Sequence, residues 1–398
     1  MAAGLLDIGA AFLVLAFAGA VATRVGLSVV PLYVVAGVLV GPNVAGELGL
    51  PYVPTGEVLT VFGELGIVLL LFFLGLEFSI DRLLAARTRI GKAGLLDVGV
   101  NFPLGVGLGL LFGWSALESL LLGGIVYISS SAIITKSLVD LGWVADPESE
   151  PVLGTLVFED LVIALYLAVV TPLVLGGGGF EATAGRVGVA IVVLLALAVV
   201  ARAGTTVFDS LLDGVSGEAV TLRVLGVTVP VAGAALALGV SEAVAAFFVG
   251  VGFAGTGHVE RIERLLTSLR DAFAAAFFLY IGLQTDPALI VEVALPLAVV
   301  VAVTAPAKLV SGFYGGRIFG LNDRRSARVG AALVARGEFS LIIAALATAG
   351  GLPERVAALA VGYVLVMSLL GTMLMGQSAV VERVVLRVSE RGEPSAAD

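Results

Sequence analysis

A chain whose apolar residues fall into about thirteen runs of roughly 15–25 residues, joined mostly by short connections, has few folds open to it. The runs extend from about 4–23 to about 355–378 and leave no room for a soluble domain between them. Within lipid, every backbone N–H and C=O must be satisfied inside its own segment, so such runs become helices. Composition agrees: of 398 residues, 59% are hydrophobic and 13% charged, against about 25% charged in soluble domains. The expected fold is all-α, a polytopic membrane protein of about thirteen transmembrane helices spanning 1–378, with a short cytoplasmic tail over 379–398. The first run lacks a basic leader and is long enough to span, so it reads as a helix that stays in place.

Loop charge sets the orientation. With alternate loops grouped, about 18 of the 22 basic residues lie on one side, and only Arg186 and Arg355 on the other. The basic side is therefore expected in the cytoplasm of a plasma-membrane protein, with the N-terminus outside and the C-terminus inside. The absence of cysteine excludes disulfides and thiolate metal sites. The single histidine, His258, stands among charged loop residues and reads as a solvated side chain. A net charge of −9 gives no reason to expect a nucleic-acid partner. No cofactor is expected beyond the ions themselves.

Against this apolar background the sixth run, 152–174, carries two adjacent carboxylates, Glu159 and Asp160. A charge near the bilayer centre costs about 2.5–3.5 kcal/mol on insertion scales, so an ionisable pair there points to an ion or proton pathway. Two other runs read poorly as continuous helices. The fifth contains Ser129-Ser130-Ser131, whose hydroxyls compete for the backbone. The twelfth contains Arg336-Gly337-Glu338. Interrupted helices at corresponding places in two halves mark transporter sites, and an offset of seven helices would run the two copies in opposite directions. No repeat at the level of residues is visible by inspection.

Helical rise places these groups, with Lys308 of the eleventh run, in one slab around or just inside the midplane. The hard oxygens of Asp160, Glu159, Ser130 and Ser131 suit a proton or an alkali cation, with Asp160 the foremost alkali-metal ligand. Lys308 reads as a coupling charge or a counter-ion to Glu159. Arg336 and Glu338 read as a pair with each other or as supports for crossed broken helices. Asp97 and Asn101, one turn apart in the fourth run, read as structural.

The motifs Ser129-Ser130-Ser131-Ala132-Ile133, Phe158-Glu159-Asp160, Arg336-Gly337-Glu338-Phe339-Ser340 and Gly37-Val38-Leu39-Val40-Gly41-Pro42, in that spacing, resemble the monovalent cation:proton antiporter-2 family, in particular Kef-type potassium and sodium/proton antiporters. The resemblance covers nearly the whole chain to about residue 378. It implies inverted repeats with two discontinuous crossing helices, a dimer domain (about 1–89 and 204–289), a core domain (about 90–174 and 290–378) and a linker helix (about 185–203). It also implies a homodimer, elevator-like motion of the core, and Asp160 as the ion carrier. Kef-type members typically have Gln where Glu159 stands, and the Glu-Asp pair with Lys308 leans towards an electrogenic arrangement. A Kef-type nucleotide-binding domain is not expected here, so any such gating would come from a separate cytoplasmic subunit. The expected function is exchange of K⁺ or Na⁺ for H⁺. The alternatives are a gated cation channel and a sodium-coupled symporter, in which Arg336 would bind a substrate carboxylate. An intramembrane enzyme is disfavoured because no base is placed to activate the serines.

Overall fold

A computed structural model describes residues 2–25, 28–77, 87–176, 205–238 and 240–383, with scattered positions between 188 and 199. Most of the expected linker helix and tail, and the basic residues Arg82, Arg186, Arg202, Arg387 and Arg391, lie outside the described residues. The described residues form helices and no strands. In chain order these are α1 (Ala2–Val25), α2 (Val29–Val40), α3 (Glu57–Glu77), α4 (Arg87–Leu111), α5 (Ala116–Tyr127), α6 (Ser131–Asp140), α7 (Ser149–Leu175) and α8 (Thr205–Leu212). They continue with α9 (Gly217–Ala237), α10 (Glu242–Ala254), α11 (Val259–Gln284), α12 (Pro287–Glu292), α13 (Ala294–Ile318), α14 (Asp323–Ala332), α15 (Glu338–Ala349) and α16 (Glu354–Gly376). Among the described residues, ten candidate spans are long and apolar enough to cross a membrane, and α10 and α15 are shorter apolar helices.

Two groups of helices pack around separate crossings. In the first, α3 lies against α10 and α11, and α2 against α11. Lipid tails are as apolar as leucine, so helices associate there through close packing at small residues. Gly75 and Gly250 let α3 and α10 touch backbone to backbone: a Cβ on Gly250 would run into the Phe72 carbonyl, and one on Gly75 into that of Phe247. Gly37 and Gly282 do the same between α2 and α11. Gly250→Val must push α3 away, because its obstacles are main-chain atoms. We expect a loss of about 1–3 kcal/mol or more, read as a lower melting midpoint in detergent. Gly226→Ala, where a Cβ meets nothing within 4 Å, should leave the midpoint unchanged or slightly raised.

The second group holds α4, α5, α6, α7, α13, α14, α15 and α16, and contains a repeat whose residue-level correspondence was not visible in the sequence. Gly105 packs on Gly123, and Gly312 on Gly330; Gly109 packs on Ser119, and Gly316 on Ser326. Each residue of the second set stands 207 positions after its counterpart, the separation also of Ser129 and Arg336. The turns correspond: Gly113 and Gly320 both take positive φ, 73° and 86°, where a Cβ would be strained. Ser115 and Asn322 then cap α5 and α14, each accepting from the N–H three residues on. Ala93 lies against Gly315 and Asp97 against Ser311, so α4 and α13 run antiparallel and the two copies are inverted. Between the two groups, a cavity is lined by Glu64 and Glu242 on one side and Leu167 and Thr171 on the other.

The repeat extends to ion pairs with reversed polarity. In one copy Glu118 of α5 meets Arg355 of α16 at 2.8 Å, with the guanidinium 5.7 Å from the Trp114 ring. In the other, Arg325 of α14, 207 positions after Glu118, lies 3.9 Å from Glu148, 207 before Arg355; Arg328, nearly one turn on, meets the same carboxylate at 2.9 Å, with its guanidinium 5.2 Å from Trp143. Arg328 and Arg324 also bind Glu382, beyond α16. Burial alone would raise the Glu382 carboxyl, but hydrogen bonds and charge from the two arginines hold it below the usual range.

Candidate ion-binding site

At the centre of the inverted pair both repeats break at the same place. α5 ends at Tyr127 and α6 resumes at Ser131; α14 ends at Ala332 and α15 resumes at Glu338. The broken stretches cross, with the Ser130 N–H donating to the Ala335 carbonyl at 2.9 Å. Four helix ends therefore meet inside the protein, two presenting orphan carbonyls and two presenting orphan N–H groups.

Arg336 and Glu338 answer those ends rather than each other, as supports of the crossed broken helices. The Arg336 guanidinium donates to Val126 O at 2.9 Å at the end of α5, and to Leu333 O and Val334 O at 2.8 and 3.1 Å at the end of α14. Glu338 accepts from the Ala132 N–H at 3.3 Å and from Ser130 Oγ at 2.7 Å at the start of α6. Positive charge thus sits at helix C-termini and negative charge at an N-terminus, the sense favoured by the helix dipoles.

Glu159 and Asp160 reach this crossing from α7. Glu159 is fully buried; it accepts from the Ser129 N–H at 2.6 Å, from Ser129 Oγ at 3.0 Å and from Lys308 Nζ at 2.7 Å. Asp160 keeps 6% of its surface exposed. Its two oxygens each lie 3.4 Å from the Ser131 hydroxyl, the loose end of the hydrogen-bond range. Adjacent in sequence, the two carboxylates differ in surroundings: Glu159 is fully buried against Ser129 and Lys308, whereas Asp160 keeps a small exposed surface and borders the Ser131 hydroxyl at a helix break.

Lys308 is shared. Besides Glu159 it meets Asp97 at 2.6 Å and donates to Tyr127 O at 3.0 Å. Asp97 is buried and also accepts from Ser311 Oγ at 2.8 Å and Asn101 Nδ2 at 3.0 Å. Asp97 thus belongs to the charged cluster, a place its reading as structural did not name. The i, i+4 relation to Asn101 was visible, but nothing in the sequence said that Asp97 meets Lys308 or that Asn101 reaches Ser311.

Buried together here are four carboxylates (Asp97, Glu159, Asp160, Glu338) and two basic groups (Lys308, Arg336). If all are ionised, two negative charges are left over. Charge buried without compensation is costly, so the cluster favours taking up a proton or a cation. Its oxygens are hard carboxylate and hydroxyl ligands, suited to alkali ions.

Comparison with known proteins bears on the chain as a whole. The model of the transmembrane sodium/hydrogen exchanger family matches residues 11–376. The chain is 36% identical over 385 residues to a protein of Bacillus subtilis named K(+)/H(+) antiporter subunit KhtU, covering 96% of this chain and 95% of that one. It is 33% identical to the ammonium/H(+) antiporter subunit AmhT of Alkalihalophilus pseudofirmus, covering 86% of each. Among solved structures it matches the sodium proton antiporter MjNhaP1 of Methanocaldococcus jannaschii with a TM-score of 0.69 at 13% identity, covering 95% of this chain and 99% of that one, a likeness of fold.

Proposed function

The chain belongs to the sodium/hydrogen exchanger family, and from that premise we propose that Asp160 binds a monovalent cation and a proton in turn. The protein is a multi-pass membrane cation/proton antiporter. What remains is which residues carry the ion and how. The observation that carries the reading is the cluster's surplus of negative charge, with Asp160 its least enclosed carboxylate on α7. A proton on Asp160 removes one of the surplus charges. So does an alkali ion held by Asp160 and the Ser131 hydroxyl. Because each relieves the same imbalance, the two compete, and competition for one carboxylate exposed alternately to either side is sufficient for exchange. Glu159 and Lys308 set the charge around that competition, while Arg336 and Glu338 hold the crossing on which Ser131 sits.

The moving part in this reading is the inverted-repeat group that carries the site, sliding against the group built on α2, α3, α10 and α11. Two copies of the chain would associate through the latter group. Relatives named as antiporter subunits support a separate regulatory subunit, docking on the face rich in basic residues, which we place in the cytoplasm of the plasma membrane. Relatives named for K⁺, NH₄⁺ and Na⁺ leave all three as candidate cargo.

Purified chain in liposomes with an imposed pH gradient tests the reading. Addition of K⁺, Na⁺ or NH₄⁺ should drive proton release, and Ser131→Ala should raise the half-maximal concentration of the preferred ion about three- to tenfold, the effect of one weak ligand or hydrogen bond. Cation flux that carries current without proton counterflow would make the protein a channel and sink the proposal.

A further inference from the structure

Away from the membrane site, the chain's single histidine does not stand alone in a solvated loop. His258 is the residue before α11, and its imidazole packs against α8 with 18% of the side chain exposed. Its Nε2 lies 3.1 Å from Asp213 Oδ1 and 3.7 Å from Asp209 Oδ1. Asp209 and Asp213 are one helical turn apart at the end of α8, so both carboxylates project from the same side.

We propose that His258, Asp209 and Asp213 form a binding site for a divalent transition-metal ion of the zinc class. The spacing fits. Two ligands about 2.1 Å from one tetrahedral ion are about 3.4 Å apart, and the two imidazole–carboxylate separations bracket that value. One atom from each of the three residues falls within 4.8 Å of the others. One imidazole and two carboxylates suit Zn²⁺, and also Mn²⁺, Fe²⁺ or Co²⁺. The fourth position faces solvent, as in open zinc sites.

The surroundings hold the three ligands without neutralising them. The Gly257 N–H donates to Asp209 Oδ1 at 3.1 Å. The two nearby arginines are turned to backbone: Arg261 binds the carbonyls of Leu212 and Val215, and Arg223 that of Leu211 at 2.6 Å. Those bonds fix the loop carrying Asp213. Phe208 and Phe253, with ring centroids 4.7 Å apart, fix α8 against the helix that leads to His258. Among the described residues, no lysine or arginine is ion-paired with either aspartate. A bound ion would join the end of α8, just past the expected linker segment, to the start of α11.

The test uses the full chain in detergent, freed of metal by chelation, with Zn²⁺ and Co²⁺ as probes. Zn²⁺ should bind at one ion per chain in calorimetry and raise the melting midpoint by a few degrees, since an ion bound only to the folded state stabilises it. Co²⁺ should give a visible ligand-field spectrum that chelator abolishes. His258→Ala and, separately, the exposed Asp213→Asn should weaken Zn²⁺ by at least about tenfold and erase the cobalt spectrum, as loss of one of three ligands requires. Asp140→Asn, an acidic surface position remote in sequence, should change neither. No saturable binding to the wild-type chain, or equal binding in wild type and both ligand variants, would overturn the site.

Discussion

In liposomes carrying the Asp160→Asn chain, adding K⁺, Na⁺ or NH₄⁺ is expected to release no protons beyond the protein-free background. The substitution keeps shape and polarity, and the Ser131 hydroxyl still has an oxygen within reach. What is lost is the ability to carry a charge and to take up a proton, and exchange needs both. One of the two surplus negative charges also disappears, so the folded chain should be at least as stable as the wild type, and a melting curve separates loss of transport from loss of fold. Asp160→Glu retains the chemistry and moves it by about one methylene, so it should keep a reduced, measurable exchange. Wild-type exchange in the Asn variant would mean that another carboxylate of the cluster carries the ion, and the assignment would fall.

Lys308→Ala should have the largest effect on stability. Lys308 is fully buried and lies 2.6 Å from Asp97 and 2.7 Å from Glu159, so its removal leaves two carboxylates facing one another across a cavity. Removing one partner of a buried pair costs about 3–5 kcal/mol, which for a chain this size lowers the melting midpoint by roughly 4–6 °C. A second substitution distinguishes electrostatics from packing. If unpaired charge causes the loss, adding Asp97→Asn to Lys308→Ala should recover part of it, a positive coupling in a double-mutant cycle. If the two losses simply add, the ammonium was only filling space and its role in the charge balance is rejected.

The contrast between these positions follows from the crossing of the two broken helices. Breaking a helix inside a protein exposes backbone dipoles that water would otherwise satisfy. This chain supplies Arg336 to carbonyls and Glu338 and Glu159 to N–H groups. Those residues are committed to holding the backbone. Asp160 sits at the same junction, with the Ser131 hydroxyl 3.4 Å from both its oxygens. A protein can give up a proton or an ion at such a position without dismantling the support, whereas Arg336 could not change partners without freeing several carbonyls at once.

Much of this was legible in the amino-acid order. Apolar runs dictate helices in lipid because no other element satisfies its backbone there, and a carboxylate pair inside such a run is too costly to be incidental. Serines beside serines, and a glycine between two charges, mark where helices break. These are local facts, and the sequence by itself determined the helical membrane fold, its likeness to cation/proton antiporters and the identity of the polar residues inside it. It did not determine who pairs with whom. The order of broken helices gave the inverted repeat as an expectation, but its residue-level form was not visible, because its shared residues, such as Gly105 and Gly312 or Ser119 and Ser326, are small contacts at helix crossings in a chain already rich in glycine. The positions that diverged between the copies, Ser129-Ser130-Ser131 against Arg336-Gly337-Glu338 and Asn101 against Lys308, are those that make the site. Only the tertiary structure turned Arg336 and Glu338 away from each other towards three of the four helix ends, gave Lys308 a second carboxylate in Asp97, and set His258 between two aspartates more than forty positions away. Each of these depends on distances between segments far apart in the chain, and residue spacing along one helix carries no information about the neighbour it will meet.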